Sequence, residues 1–297
     1  METKKQPQTA VKSRFEEAFE KFATAPDQAT VQQRVKEAIE KHYNELNNRD
    51  TVKLIHSCID LTSLSSTDHE DHIFRLVNTV NELDENDPSI PPVASICVYP
   101  NHVHTVKEHL TVEEVHITSV AGGFPSAQTF MEIKVAEIQL AVHDGADEID
   151  VVLPIGEFLS GNYNEVVEQL LEQHDACHGA IYKVILETGA LKTTENIQRA
   201  SILALYSDAD FIKTSTGKEY PGANLEAAYV MANVLKQYYD QEGQKRGLKI
   251  SGGVRTTEDA IKYLCIVKEV LGDEWLDNRL FRFGATSLES DVLKYLQ

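Results

Sequence analysis

Four cysteines in 297 residues, none of them in a C-x-x-C pair, are too few and too scattered for a disulfide framework or a zinc ribbon. Cys58, Cys97, Cys177 and Cys265 are therefore expected as reduced thiols, which fits a cytoplasmic protein. No run reaches the roughly 18 apolar residues that a membrane span needs. The opening residues, Met1 to Pro7, lack the apolar core and small-residue cleavage site of a signal peptide. Positive charge is also scarce: 28 Lys+Arg stand against 47 Asp+Glu, a net charge of −19. Such a chain is a poor binder of nucleic-acid backbones, so no nucleic-acid partner is expected. An anionic ligand would need a local cationic site working against the global charge.

What is present is a globular composition, 42% apolar and 25% charged, long enough for one large domain or two small ones. Residues 1–52 read apart from the rest. Phe15, Phe19 and Phe22 have helical spacing, Pro26-Asp27 interrupts it, and Val31, Val35, Ile39 and Tyr43 repeat every four residues. This predicts a helical N-terminal extension that ends in polar Asn47 to Asp50. Beyond it, residues 53–297 alternate short β-rich runs with helical patterns. Strands are expected at 53–61, 93–99, 115–120, 148–153, 182–186, 211–213, 248–250 and 281–283. Helices are expected between them, including 129–143 with Ile133, Ala136 and Leu140 on one stripe, 194–206, 225–238 and 257–271. Eight βα units in about 250 residues imply a parallel (β/α)8 TIM barrel. The rival open sheet usually has fewer strands, and no G-x-G-x-x-G follows the first strand.

Active sites of such barrels lie at the C-terminal strand ends. Two of those ends carry a lysine in an apolar strand, Lys213 and Lys249, and a neighbouring strand carries Asp150. Burial lowers a lysine's pKa, and a second ammonium nearby lowers it further; both make it a nucleophile near neutral pH. Two lysines and a proton-relaying carboxylate form a Schiff-base constellation. The same spacing also fits a structural ion pair at a barrel rim. Asp60 and Cys97, at the ends of the first two strands, are expected to line the pocket. Gly217-Lys218, Gly252-Gly253 and Gly284 to Ser287, with the Thr286 and Ser287 hydroxyls, offer backbone N–H groups and helix N-termini for a phosphate, although tight turns alone could explain the glycines. His102, His104, His69 and His72 form no H-E-x-x-H and read as surface or cap residues, so no metal and no cofactor is expected.

Taken together these residues resemble 2-deoxyribose-5-phosphate aldolases, a class I aldolase family, over about residues 54–297. The resemblance rests on Ile59-Asp60-Leu61-Thr62, on Ile96 to Pro100, and on Gly145 to Val152. It continues through Lys183 to Gly189, Ala209 to Lys218, Gly252 to Thr256 and Arg282 to Ala285. It implies reversible cleavage of 2-deoxy-D-ribose 5-phosphate to D-glyceraldehyde 3-phosphate and acetaldehyde, in deoxyribose phosphate catabolism. Lys213 would be the Schiff-base lysine, Lys249 the lysine that perturbs it, and Asp150 the proton relay. The phosphate would sit on Gly217, Lys218, Gly252, Gly253, Gly284, Thr286 and Ser287, and a homo-oligomer, dimer or tetramer, is implied. The sequence departs from the family pattern at Ser126-Ala127, Ile250-Ser251 and Thr286, and Tyr295 is third from the end where some relatives close on a tyrosine proposed to move protons. Rival readings are another Schiff-base sugar-phosphate aldolase, a metal-dependent aldolase and a non-catalytic phosphosugar-binding barrel.

Overall fold

The computed structural model describes residues 14–296, with side chains from Glu17 onward. The expectations for the leader at Met1 to Pro7 and for the Phe15 side chain lie outside the described residues. The N-terminal part forms α1 (Arg14–Lys21), α2 (Gln28–Leu46) and α3 (Arg49–Ser57). Asp27 ends the break before α2 by accepting the Thr30 N–H at 3.0 Å, and Asn48 does the same for Thr51 at the start of α3. The expected first strand therefore begins too early, because residues 53–57 belong to α3. Thr51, Val52, Ile55 and His56 bury one face of that helix. The helical spacing of these four starts at Thr51, so the run from Lys53 alone is too short to show it. Val31, Val35, Ala38, His42 and Leu46 of α2 are buried, and the helix lies against helices Leu225–Glu242 and Thr257–Val270 of the outer ring.

The strands are β1 (Ile59–Thr62), β2 (Ser95–Val98), β3 (His116–Ala121), β4 (Glu148–Val152), β5 (Ile181–Ile185), β6 (Phe211–Lys213), β7 (Gly247–Ser251) and β8 (Phe281–Ala285). They pair in parallel in chain order, and β8 closes on β1, with helices between successive strands. This is a (β/α)8 TIM barrel. Strand side chains alternate between the helix layer and the barrel interior. The outward set, such as Ile149, Val151, Val184, Ile212, Leu248 and Ile250, is fully buried under helices. The inward set contains the chemistry. Among the described residues no helix is long and apolar enough to cross a membrane.

One helix is rotated relative to expectation. In Met131–His143 the buried residues are Lys134, Ile138 and Ala141, whereas Ile133 and Leu140 of the expected inner stripe are 55% and 62% exposed. Polar ties set the rotation. Lys134 Nζ donates to Gln169 Oε1 at 2.9 Å on helix Tyr163–Ala176, and Glu137 accepts the Gly123 N–H at 2.8 Å. The lysine stem then covers apolar surface in place of a branched side chain.

The lower end of the barrel is closed by Phe211 opposite Gly247, its register partner. A Cβ at Gly247 would overlap the Phe211 ring, which also lies 5.6 Å beneath the Arg282 guanidinium. Gly247→Ala is expected to lower stability by about 1–3 kcal/mol through overpacking, read as a lower urea midpoint at unchanged m-value.

Candidate active site

The inward positions of β1, β4, β5, β6, β7 and β8 carry seven ionisable groups in one cluster: Asp60, Glu148, Asp150, Lys183, Lys213, Lys249 and Arg282. The strand registers produce it. Asp150 lies opposite Lys183, Lys213 opposite Lys249, and Lys249 opposite Arg282. Asp150 is the hub. Its Oδ1 accepts Lys183 Nζ at 2.8 Å, and its Oδ2 accepts both Lys213 Nζ at 2.7 Å and Lys249 Nζ at 2.8 Å. Below it, Glu148 meets Lys183 at 2.5 Å and Arg282 at 3.0 Å. Asp60 pairs with Lys249 and accepts Arg282 Nη1 at 2.7 Å. His116, at the lower rim, lies 2.7 Å from Glu148.

Seven buried charges persist only if they compensate one another. Burial opposes ionisation of Asp150, but Lys183, Lys213 and Lys249 outweigh it and hold the carboxyl well below its usual range. Lys183 and Arg282 hold Glu148 well below its usual value in the same way. Lys249 feels the same burial, yet Asp150 and Asp60 raise it far above a normal lysine, so it stays an ammonium. Lys183 is raised by Asp150 and Glu148. Lys213 goes the other way. Burial lowers its pKa, the Lys249 ammonium adds to that, and its share of Asp150 does not restore it. Three carboxylates are thus matched by Lys183, Lys249 and Arg282, and Lys213 is the fourth cation, with no carboxylate of its own. A neutral Lys213 leaves the interior electroneutral.

Lys213 is also the one of the three interior lysines that borders a cleft, a cavity of about 620 Å³ at the C-terminal strand ends. The cleft brings together most of the expected residues: Gly217, Lys218, Gly252, Gly253, Gly284, Thr286 and Ser287 all line it. Its lining, among the described residues, contains no Asp or Glu, while Lys218, Arg255 and His72 supply cationic or ionisable donors. Lys218 Nζ bonds the Leu64 carbonyl, and the Thr286 hydroxyl donates to the Thr62 carbonyl at 2.8 Å, which ties β1, β6 and β8 around the opening. Asp60 and Cys97, expected at the pocket wall, do not border it. Asp60 is drawn under Lys249 and Arg282, and Cys97 packs with Leu64, Val120, Tyr99 and Phe124 in an apolar cover over the β1–β3 side. Tyr295 lies on helix Leu288–Leu296 with its hydroxyl 2.9 Å from Asn47, outside the cleft lining.

A sequence model of the "DeoC/LacD family aldolase" matches residues 54–269. The chain belongs to this aldolase family. A Caenorhabditis elegans protein named provisionally as a deoxyribose-phosphate aldolase is 42% identical over 271 residues, 89% of this chain and 88% of that one. The human deoxyribose-phosphate aldolase is 42% identical over 201 residues, 67% of this chain and 63% of its own length. A Coccidioides immitis crystal structure, again provisionally a deoxyribose-phosphate aldolase, superposes with a TM-score of 0.69 at 26% identity, covering 93% of this chain and 100% of that one.

Sequence reasoning missed Lys183, Glu148 and Arg282 inside the barrel and Arg255 and His72 at the cleft. A signal for the first two existed. Glu148 and Asp150 share strand parity, so both enter the interior, and two buried carboxylates demand cations on adjacent strands. Among the described residues no group of three or more His, Cys, Asp or Glu is arranged to hold a metal ion.

Lys249→Met removes the ammonium that helps lower the Lys213 pKa. The folded pKa of Lys213 then rises, its neutral fraction at a given pH falls, and the acidic limb of the rate–pH profile moves to higher pH. The acid limb of kcat/KM measured against pH checks the direction. The same variant leaves Asp60 on Arg282 and Asp150 on Lys183 and Lys213, so a Lys213 that stays protonated keeps the cluster neutral.

Proposed function

We propose that this aldolase reversibly cleaves 2-deoxy-D-ribose 5-phosphate to D-glyceraldehyde 3-phosphate and acetaldehyde through an imine on Lys213. The observation that carries the reading is that Lys213 alone of the three interior lysines reaches a cleft whose lining bears no carboxylate. In this reading neutral Lys213 Nζ adds to the C1 aldehyde of the open sugar, and the carbinolamine loses water to give a protonated imine. The imine accepts the C2–C3 bonding electrons as the C3 hydroxyl gives its proton to Asp150 or to a water beside it. Glyceraldehyde 3-phosphate leaves, carbon 2 of the enamine is protonated, and water releases acetaldehyde and Lys213. Asp150 ends the cycle as the carboxylate it began as, because any proton it takes from the C3 hydroxyl passes on, and Lys249 stays an ammonium. Gly217, Lys218, Gly252, Gly253, Gly284, Thr286 and Ser287 hold the phosphate, which fixes the far end of the substrate and orients its reacting carbons.

A self-association face accompanies this proposal. Phe130 is 77% exposed and adjoins Ile133 and Leu140, an apolar stripe on helix Met131–His143 that suits a second copy of the chain. The four cysteines are buried free thiols, which supports a reducing, cytoplasmic setting.

Borohydride reduction in the presence of deoxyribose 5-phosphate is expected to attach a two-carbon label to Lys213, located by peptide mass mapping. Lys213→Ala and Lys213→Arg are expected to abolish turnover while retaining the folded circular dichroism spectrum. A label elsewhere, substantial turnover in either variant, loss of activity with EDTA, or faster cleavage of fructose bisphosphate overturns the assignment. For the apolar face, Ile133→Glu combined with Leu140→Glu is expected to reduce the solution mass to that of a monomer in light scattering.

A further inference from the structure

We infer that Glu187 is a positioning residue of the phosphate site: through Thr216 it fixes the segment that presents Gly217 and Lys218 to the anionic end of the substrate. The inference rests on the function proposed above and adds a residue to it. Glu187 follows β5 and has left-handed backbone angles, φ 56° and ψ 60°. That conformation is unfavourable for a residue with a Cβ, and glycine or asparagine would adopt it more readily. A glutamate held there implies that the side chain returns more than the backbone loses.

Among the described residues the side chain's hydrogen-bond partner is Thr216. Glu187 is 2% exposed, and its carboxylate accepts the Thr216 hydroxyl at 2.5 Å and the Thr216 N–H at 3.3 and 3.4 Å. The Thr216 hydroxyl oxygen in turn accepts the Lys218 N–H at 3.2 Å. Thr216, Gly217 and Lys218 all line the cleft, and Glu187 does not. On the other side of Glu187, the Leu186 N–H donates to the Lys213 carbonyl at 2.8 Å and the Thr188 N–H to the Thr214 carbonyl at 2.9 Å. The backbone beside Glu187 therefore continues the β5–β6 ladder that carries Lys213, while its side chain reaches past the ladder to the loop. The separation of tasks follows: the ladder places the nucleophile, and the carboxylate places the loop.

This division makes the effect of removing the carboxylate selective. Without it, Thr216 loses the partner of both its N–H and its hydroxyl, and the turn at Gly217, with φ 73°, is no longer held from below. Binding of the phosphate end weakens, whereas Lys213, fixed by β6 and Asp150, keeps its place.

The test compares Glu187→Ala, Glu187→Gln and Thr216→Val with the wild type. For deoxyribose 5-phosphate, Glu187→Ala is expected to raise KM about tenfold with kcat within about threefold, a loss of uniform binding. Borohydride trapping of acetaldehyde on Lys213, which needs no phosphate, is expected to change by less than about twofold, since it reads the nucleophile alone. Glu187→Gln, which keeps an acceptor for the hydroxyl, recovers part of the loss, and the double variant Glu187→Ala with Thr216→Val is no worse than the poorer single, as expected of groups acting in one chain. Equal losses in KM and in acetaldehyde trapping, additivity of the pair, or an unchanged KM each overturn the inference. If Glu187→Ala does not fold, Thr216→Val, which deletes the hydroxyl bond and leaves the Thr216 N–H on Glu187, is expected to raise KM by a smaller factor, and an unchanged KM overturns the inference. Calorimetric titration with inorganic phosphate separates this inference from the proposed function. A wild type that binds phosphate more tightly than Glu187→Ala, yet does not cleave deoxyribose 5-phosphate, sinks the function and leaves Glu187 in its role. Phosphate that binds both equally, or neither, overturns the role of Glu187.

Discussion

Asp150 accepts hydrogen bonds from three lysines with two oxygens, and the interior of the barrel is organised around that shortage of acceptors. A carboxylate can satisfy several donors geometrically, but it carries one charge. Lys183 and Lys249 have second carboxylates, Glu148 and Asp60, and Lys213 has none. Competition therefore settles on the lysine with least compensation, and the ammonium that costs most to keep buried is Lys213. The low pKa of Lys213, which the proposed reaction uses, is set by the arrangement of its neighbours, with Lys249 contributing because its own charge is secured by Asp60. A mutation anywhere in this cluster redistributes protons across it, which is why Arg282 and Glu148, remote from the cleft, bear on the chemistry.

The cleft above is built from backbone more than from side chains. The chain after β6 passes so close to the end of β7 that a Cβ on Gly222 would overlap the Gly252 carbonyl, and Ala223 N–H donates to Ser251 and Gly252 carbonyls at 3.1 and 2.9 Å. Gly252, with φ 84°, turns where a side chain is disfavoured. Two strand ends thus bring peptide groups to one rim without bulk between them. Such a rim can accept a phosphate through N–H groups, and a glycine there has a steric reason as well as a conformational one.

Much of the barrel was legible because its local signals agree. β6 was read with both ends correct, as Phe211-Ile212-Lys213 is a short apolar run between turn residues. Lys213 and Lys249 were legible because each is a charge among apolar strand neighbours, a local conflict, and Asp150 because it stands between Ile149 and Val151. The misreadings arose where tertiary contacts decide. Residues 53–57 read as strand, but Asn48 caps them into α3 and the helix buries Val52 and Ile55. Ile133 and Leu140 turned outward because Lys134 and Glu137 have partners within the fold, and a helical wheel weighs only hydrophobicity. Glu187 left no sequence signal beyond standing at a strand end, since its importance lies in a left-handed backbone and a contact 29 residues away.

The net charge of −19 opposes the dianionic substrate proposed above only weakly, because the range of the opposing charges is short. At physiological ionic strength interactions between exposed charges fade over about 8 Å. Asp60, Glu148 and Asp150 are paired with cations in the interior, Glu187 is held by Thr216 behind the rim, and no carboxylate lines the opening among the described residues. In the proposed reaction the phosphate meets the local field of Lys218, Arg255 and the glycine-rich N–H groups. The electroneutral interior then matters a second time. In the proposed reaction neutral Lys213 adds no charge before imine formation, and the protonated imine then adds one positive charge at the floor of the same cleft. That charge appears as the reaction proceeds, at the far end of a molecule whose phosphate is already held, so the substrate's own anion favours the intermediate rather than only its binding. A permanently charged Lys213 would have attracted the phosphate to the floor of the cleft and left no nucleophile; a neutral one leaves the phosphate to the rim and the aldehyde to the amine.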